Sequence, residues 1–311
     1  MKKIIALVLL LTLVLSLVAC NKEETKTPEE VAPEATTVPE NTTSEVTAQS
    51  IYDANHVPTL LEKYDSIYIE SAENGEIYKE EYFNKDYRYY HELYDGAESE
   101  VLTTRKAYYM YYEDMYVLPV FLTPDGVPDM KKIFDEDMNR SCVYSDFLND
   151  TILSVTEKDG QIIVRSASDA EEAEFYKAQG WTVSEEAHVL DAETLNLISG
   201  KGSYTNIESG EILEGTRTAF YNVEMPEKMK KLVEFDTQTE NLRTFTVVTN
   251  PGAENEKTEV VKAPKGLQIA FSADLDVERS YSLYDDASCT RILEEDWDTE
   301  SDVTVYVKWD E

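Results

Sequence analysis

Beyond residue 50 the chain is a run of short two-faced segments separated by tight-turn signals, a pattern that restricts it to hairpins laid side by side. Asn74-Gly75 separates the segment 66–70 from Tyr82-Phe83, and Asp159-Gly160 separates 151–156 from 161–166. Both dipeptides accept the positive φ angles of a two-residue hairpin turn, whose twist matches the flanking strands. Tyr82, Phe83, Tyr87, Tyr89 and Tyr90 mark strands with aromatic faces, and Ala107–Tyr112 is apolar or aromatic on both faces, as a strand covered from both sides would be. Further strands are expected at 187–191, 194–199 and 213–223, with glycine-containing turns between them. Helices are few: a short one within 51–64, a short one around Met130–Phe134 inside a loop over 122–149, and a last turn at 228–233. Another opens at the capping box Ser168-Asp169-Ala170-Glu171 and stops at Gly180. The fold class expected is therefore mainly β (α+β).

The N-terminus specifies location. Lys2 and Lys3 precede an apolar run from Ile4 to Val18, which ends in Leu17-Val18-Ala19-Cys20. The run is short for a spanning helix and the chain behind it is strongly polar, so it reads as a secretory signal. It resembles the lipobox of bacterial lipoproteins. That resemblance implies that Cys20 is diacylated, becomes the mature N-terminus and anchors the protein on the extracytoplasmic face of the cell membrane. Residues 21–50 are rich in Glu, Thr, Pro and Ala with almost no large apolar side chain, and cannot bury enough surface to order themselves. They read as a stalk that could reach up to ~90 Å at ~3 Å per residue.

Composition narrows the partners. The chain carries 63 acidic and 28 basic side chains, a formal charge of −35, and loss of Lys2 and Lys3 with the signal makes it more negative still. Such a surface repels nucleic acid and anionic head groups. A hydrophobic fraction of 42% is enough for packed cores, arranged as one large domain or two smaller ones. With Cys20 lipidated, Cys142 and Cys289 remain, expected as unpaired or buried thiols, and no cysteine pair has zinc-site spacing.

Two further resemblances concern the folded part. The run Leu60-Leu61-Glu62-Lys63-Tyr64-Asp65-Ser66-Ile67, the successive hairpins, and Val189-Leu190-Asp191-Ala192-Glu193-Thr194-Leu195 resemble the LolA-like half-barrel group over residues 51–235. The resemblance implies a curved antiparallel sheet wrapped around a few helices, with an apolar concave face that binds acyl chains or other apolar ligands. The acidic segment Glu171, Glu172 and Glu174 departs from a simple carrier. Residues 240–311 are similar to the internalin B-type repeat, a small β-grasp module of bacterial surface proteins. The similarity rests on Phe245-Thr246-Val247, Tyr281-Ser282-Leu283-Tyr284-Asp285-Asp286 and Asp302–Trp309, with Ser282-Leu283 standing where a Gly-Trp is usual. It implies spacing and protein contacts.

No motif for catalysis stands out. His56, His91 and His188 are the only histidines, scattered and read as surface residues, and no nucleophile elbow, His-Glu-x-x-His or phosphate loop is present. Asp296–Asp302 alternates oxygen ligands like a calcium loop, but it has Ser301 at the glycine position and Val307 at the twelfth, so it reads as an acidic turn. Asp135-Glu136-Asp137 is too short to judge as a metal site. No cofactor, metal or catalytic residue is therefore expected. The 21 tyrosines suit a half-exposed sheet, a ligand groove or a protein-binding surface. If a groove exists, Tyr109, Met110, Tyr111, Tyr116 and Phe121 are its expected lining. The reading is a non-enzymatic lipoprotein that binds an apolar or amphiphilic envelope ligand. The alternative is a structural or adhesive protein that binds another envelope protein through its Tyr-rich faces.

Overall fold

In a computed structural model, described over residues 46–311 apart from 95, 113, 145–147, 274–279, 294–300 and 310–311, hairpins dominate as the turn signals require. Asn74 and Gly75 have φ of 50° and 85°, and Asp159 and Gly160 have 53° and 74°, so both expected hairpins turn through left-handed pairs. Two short helices lead in, α1 (Ala48–Asn55) and α2 (Val57–Lys63), so the last residues assigned to the stalk already belong to the folded part. Pro58 sits in the first turn of α2, where its missing N–H costs no helix bond.

Six strands follow as a meander: β1 (Ile67–Glu73), β2 (Glu76–Phe83), β3 (Arg88–Tyr94), β4 (Ala97–Thr103), β5 (Tyr108–Tyr112) and β6 (Met115–Leu122). The helix α3 (Met130–Arg140) starts where the short helix was expected and runs beyond Phe134. Asp129 caps it by accepting from the Lys131 and Lys132 amides, and Phe134 and Met138, four apart, bury one face beneath its acidic residues. The second half contains β7 (Thr151–Lys158), β8 (Gln161–Ala167), α4 (Ala170–Ala178), β9 (Trp181–Val183), β10 (Glu186–Asp191), β11 (Leu197–Asn206) and β12 (Ile212–Tyr221). The cap of α4 is Asp169, which accepts from the Glu172 amide 2.8 Å away. The helix thus starts one residue later than a Ser168 cap would place it, and Gly180 follows it at φ 84°.

β12 closes antiparallel onto β1, giving one open, curved sheet in the order β6-β5-β4-β3-β2-β1-β12-β11-β10-β8-β7, with β9 beside β11. Beyond it lie α5 (Lys230–Thr237), β13 (Leu242–Thr249), β14 (Lys257–Pro264), β15 (Gln268–Ala273), β16 (Tyr281–Tyr284) and β17 (Val303–Trp309). Four of these strands form a second sheet, β14-β13-β17-β16, with β13 and β17 parallel at its centre, a β-grasp-like order. The mainly β (α+β) class is therefore what the chain adopts.

One strand of the C-terminal segment goes elsewhere. β15 pairs parallel with β6 and extends the large sheet. β6 is buried on both faces from Val117 onward, and an apolar edge of that kind needs a neighbour. The two sheets also share a core: Tyr82, Leu102, Leu118 and Leu122 pack with Phe245, Val247, Val305 and Trp309 around Met229 and Leu232. Residues 240–311 are thus joined to the large sheet by a strand and a common apolar cluster, and Ala48–Glu311 forms one unit.

The large sheet is covered on both sides at one end of β2–β6, where these strands are buried. α5 and the small sheet lie on one face, where Thr104 donates to Asp236 and the rings of Tyr116 and Phe235 meet at 5.3 Å. α3 lies on the other face, where Asp137 pairs with Arg88 at 3.5 Å and accepts from Tyr108. Cys142 and Cys289 are thiols with no disulfide.

Candidate functional site

The five residues expected to line a groove do not share one. Strand alternation puts Tyr109, Tyr111 and Tyr116 on the α5 face and Met110 and Phe121 on the α3 face. Tyr109, Met110 and Phe121 are buried, the rings of Tyr111 and Tyr116 meet tilted at 5.0 Å, and Phe121 meets Tyr108 edge-on at 5.2 Å. This end of the sheet is packed with the protein's own side chains.

The tyrosines have a different role. Their hydroxyls donate to carboxylates: Tyr68 to Glu80, Tyr89 to Glu100, Tyr108 to Asp137, Tyr111 to Asp114 and Tyr144 to Glu186. In a chain with far more acids than bases, a phenol offers a partly buried carboxylate a hydrogen-bond donor where cations are scarce. Burial, and then the neighbouring carboxylate, holds the Tyr68 and Tyr89 hydroxyls protonated well above the ordinary tyrosine range. Since Tyr82, Tyr89, Tyr90, Tyr108 and Tyr109 are all buried, the Tyr-rich strands offer little surface for an adhesive contact.

Two of the three histidines, expected at the surface, are instead among the most buried polar groups: His91 is 4% and His188 1% exposed. Each sits mid-strand among carboxylates. His91 on β3 faces Glu80 of β2 and Glu100 of β4 in register. Its Nδ1 lies 2.8 Å from Glu80 and its Nε2 3.0 Å from Glu98. Lys228, just before α5, donates to Glu80 at 2.9 Å. Burial alone would lower the His91 pKa, but the bonds to Glu80 and Glu98 outweigh it and raise it. The bond from His91, with those from Tyr68 and Lys228, holds Glu80 down to about 2 despite burial.

His188 on β10 lies across the sheet from Val164 of β8 and Gly200 of β11, with Glu186 opposite Ser166. Its Nε2 lies 3.3 Å from Glu186 Oε2, 3.3 Å from Ser166 Oγ and 3.5 Å from Tyr144 Oη. Ser166 donates to Asp150 Oδ2 at 2.9 Å. Burial would raise the Glu186 pKa, but hydrogen bonds from His188 and Tyr144 lower it.

Around this group the sheet is thinned by glycine. β11 runs through Gly200 and Gly202, which the sequence pattern placed in a turn, and Gly202 pairs with Gly215 of β12. An ideal Cβ on Gly200 would lie 2.9 Å from His188 Nδ1, and one on Gly202 would lie 3.1 Å from Glu186 Cγ. These glycines let the His188 and Glu186 side chains cross directly over the backbone. Two hollows flank the thinned patch. One, of about 450 Å³, is lined by Arg165, Ser184, Glu185, Lys201, Ser203 and Glu214 among others. The second, of about 170 Å³, is lined by Tyr78, Tyr144, Glu186, His188, Tyr204 and Arg217 among others. Both reach Glu186, Lys201, Gly202, Gly215 and Thr216. No signal in a single sequence marks this patch, because its residues come from segments scattered between Tyr78 and Arg217. Cys20 and most of the possible calcium loop, 296–300, lie outside the described residues.

No protein-family model and no curated protein matches the chain. Among solved structures, the lipoprotein LppX of Mycobacterium tuberculosis is similar at 9% identity, covering 57% of this chain and 97% of that one with a TM-score of 0.26. A LolA superfamily protein of Nitrosomonas europaea is similar at 12% identity, covering 59% and 97% with a TM-score of 0.20. Among the described residues no helix is long and apolar enough to cross a membrane.

Proposed function

We propose that the chain is a lipid-anchored extracytoplasmic binding protein with no catalytic role, held at the membrane by Cys20. Its LolA-like half-barrel (51–235) takes an amphiphilic envelope ligand, and the β-grasp module (240–311), of internalin B-repeat type, braces the β6 edge. The observation that carries this reading is the glycine-thinned patch over β10–β12 with its groove of about 450 Å³. Arg165, Lys201, Glu185 and Glu214 line that groove with both signs of charge, which suits a polar head better than a bare acyl chain. The apolar residues that would have held such a chain near Met110 and Phe121 are already packed.

A protein partner is the second reading, favoured by β7. It is an edge strand of the large sheet, with Leu153 48% and Val155 38% exposed. An edge of this kind can take an added strand from another chain.

The test uses the Cys20→Ser chain, which the proposal expects to leave the membrane fraction. Organic extraction of this released protein, read by mass spectrometry, should yield a stoichiometric amphiphile that is lost on Lys201→Glu. A clean extract from a folded protein would overturn the ligand reading, and retention in the membrane would overturn the anchor.

A further inference from the structure

We infer that His188, Glu186 and Asp150 form a binding site for one divalent transition-metal cation such as Zn²⁺ or Mn²⁺. The inference stands apart from the amphiphile reading, since it rests on the donor atoms around His188 rather than on the larger groove.

The strand register aims the imidazole. With Nδ1 directed at Gly200, Nε2 points toward oxygens of Glu186, Ser166 and Tyr144 at 3.3–3.5 Å. The two hydroxyls donate their protons elsewhere, Ser166 to Asp150 and Tyr144 to Glu186, so both turn lone pairs toward Nε2. An N–H on Nε2 would serve three acceptors, each longer than a good hydrogen bond of about 2.9 Å. Ligands bonded at about 2.1 Å around one tetrahedral cation sit roughly 3.4 Å apart, close to the 3.3 Å between His188 Nε2 and Glu186 Oε2. The donor atoms of all three proposed ligands lie within 4.8 Å of one another. That outer limit exceeds a single tetrahedral shell, so half-buried Asp150 closes in or binds through a water.

Charge and access agree with this reading. Two carboxylates meet one imidazole, while the arginines of the adjoining strands are engaged elsewhere: Arg217 with Glu81 at 2.9 Å and Arg165 with Glu185 at 3.7 Å. The hollow of about 170 Å³ reaches Glu186 and His188 and gives an entry path. One imidazole with two carboxylates suits a transition metal better than Ca²⁺, which prefers six or more oxygens. Ser166 and Tyr144 then act as positioning residues whose hydroxyls orient the ligating carboxylates.

The test takes the full chain in detergent micelles, stripped with a chelator, at about 0.15 M salt to suppress loose binding to its acidic surface. Zn²⁺, Mn²⁺ and Ca²⁺ are titrated separately by calorimetry, with bound metal counted after dialysis. One equivalent of Zn²⁺ or Mn²⁺ should bind, at least tenfold more weakly in His188→Gln, Glu186→Gln and Asp150→Asn, and unchanged in Glu80→Gln. Metal-free urea unfolding reports whether each variant folds. Should His188→Gln and Glu186→Gln fail to fold, Asp150→Asn decides alone. The proposal is overturned by the absence of a saturable equivalent, by binding that survives in the folded variants, or by Ca²⁺ binding as tightly as Zn²⁺.

Discussion

His91 and His188 sit mid-strand in the two halves of one sheet, on opposite faces of it, and differ in what completes their surroundings. Each is buried mid-strand with a glutamate opposite or beside it and a tyrosine donating to that glutamate. Around His91 the group is closed: both ring nitrogens reach carboxylates at 2.8–3.0 Å, and Lys228 arrives from beside α5 to bond Glu80. α5 and the second sheet cover this face nearby. Around His188 the contacts are longer, the backbone beneath is glycine, and a hollow opens beside it. The same residue types thus make a bracing network where the sheet is covered and a receptive site where it is thinned.

The strongest way to break this comparison is to remove each imidazole in turn without metal. His91→Ala removes a buried imidazole and strips half-buried Glu80 of a close partner, and should cost about 3 kcal/mol in urea unfolding. His188→Ala loses longer contacts and should cost about half as much. Equal costs would show that the two groups are equally structural.

Glycine substitutions sharpen the second half of the comparison, because the space above each glycine differs. Gly200→Ala drives a Cβ to within 2.9 Å of the buried His188 ring and should cost about 1–3 kcal/mol and weaken cation binding. Gly202→Ala meets only the bendable Glu186 Cγ at 3.1 Å and should cost less. Gly215→Ala, with its nearest neighbour 3.8 Å away, should leave thermal stability within about 0.5 kcal/mol. A flat series across the three would mean that the close crossings are not tight in solution.

pH separates the terms of the His91 network. The His91 pKa is raised on folding, so its stabilisation is complete below its ordinary 6.5 and is lost as pH climbs through the raised value. Glu80 is lowered, so its stabilisation is present above the ordinary 4.5 and is lost as pH falls toward about 2. Glu100, raised by burial, opposes Glu80 and softens the acid limb. Melting temperatures across this range should show a loss above pH 6.5 that His91→Gln flattens, and an unchanged alkaline limb would remove His91 from the account. The smallest effect is expected from Lys228→Met. Its side chain is 47% exposed, so solvent screens the pair and the loss should be below about 1 kcal/mol by urea unfolding.

Much of the sheet was legible in the chain because the signals are local. Asn74-Gly75 and Asp159-Gly160 fold as two-residue turns for reasons held within four residues, and β17 (Val303–Trp309) buries Val305, Val307 and Trp309 on one face. What could not be read depends on neighbours distant in sequence. β15 leaves its own sheet because β6 needs a partner, which no feature of Gln268–Ala273 announces. Gly200 and Gly202 look like turn residues until Glu186 and His188 are placed across them. The histidines read as surface residues because an isolated imidazole in a polar strand carries no mark of burial, and the carboxylates that surround it come from other strands. Tyr109 and Met110 seemed to share a groove because adjacency in sequence hides that successive strand residues point to opposite faces.

The most direct measurement follows the imidazole nitrogens by NMR, since His56, His91 and His188 are the only three in the chain. Zn²⁺ is added to the ¹⁵N-labelled full chain up to one equivalent. The account predicts that the His188 Nε2 resonance moves to a metal-bound position, saturating at one equivalent, while both His91 nitrogens stay in place. A shift at His91, or a His188 signal that does not move, would contradict it.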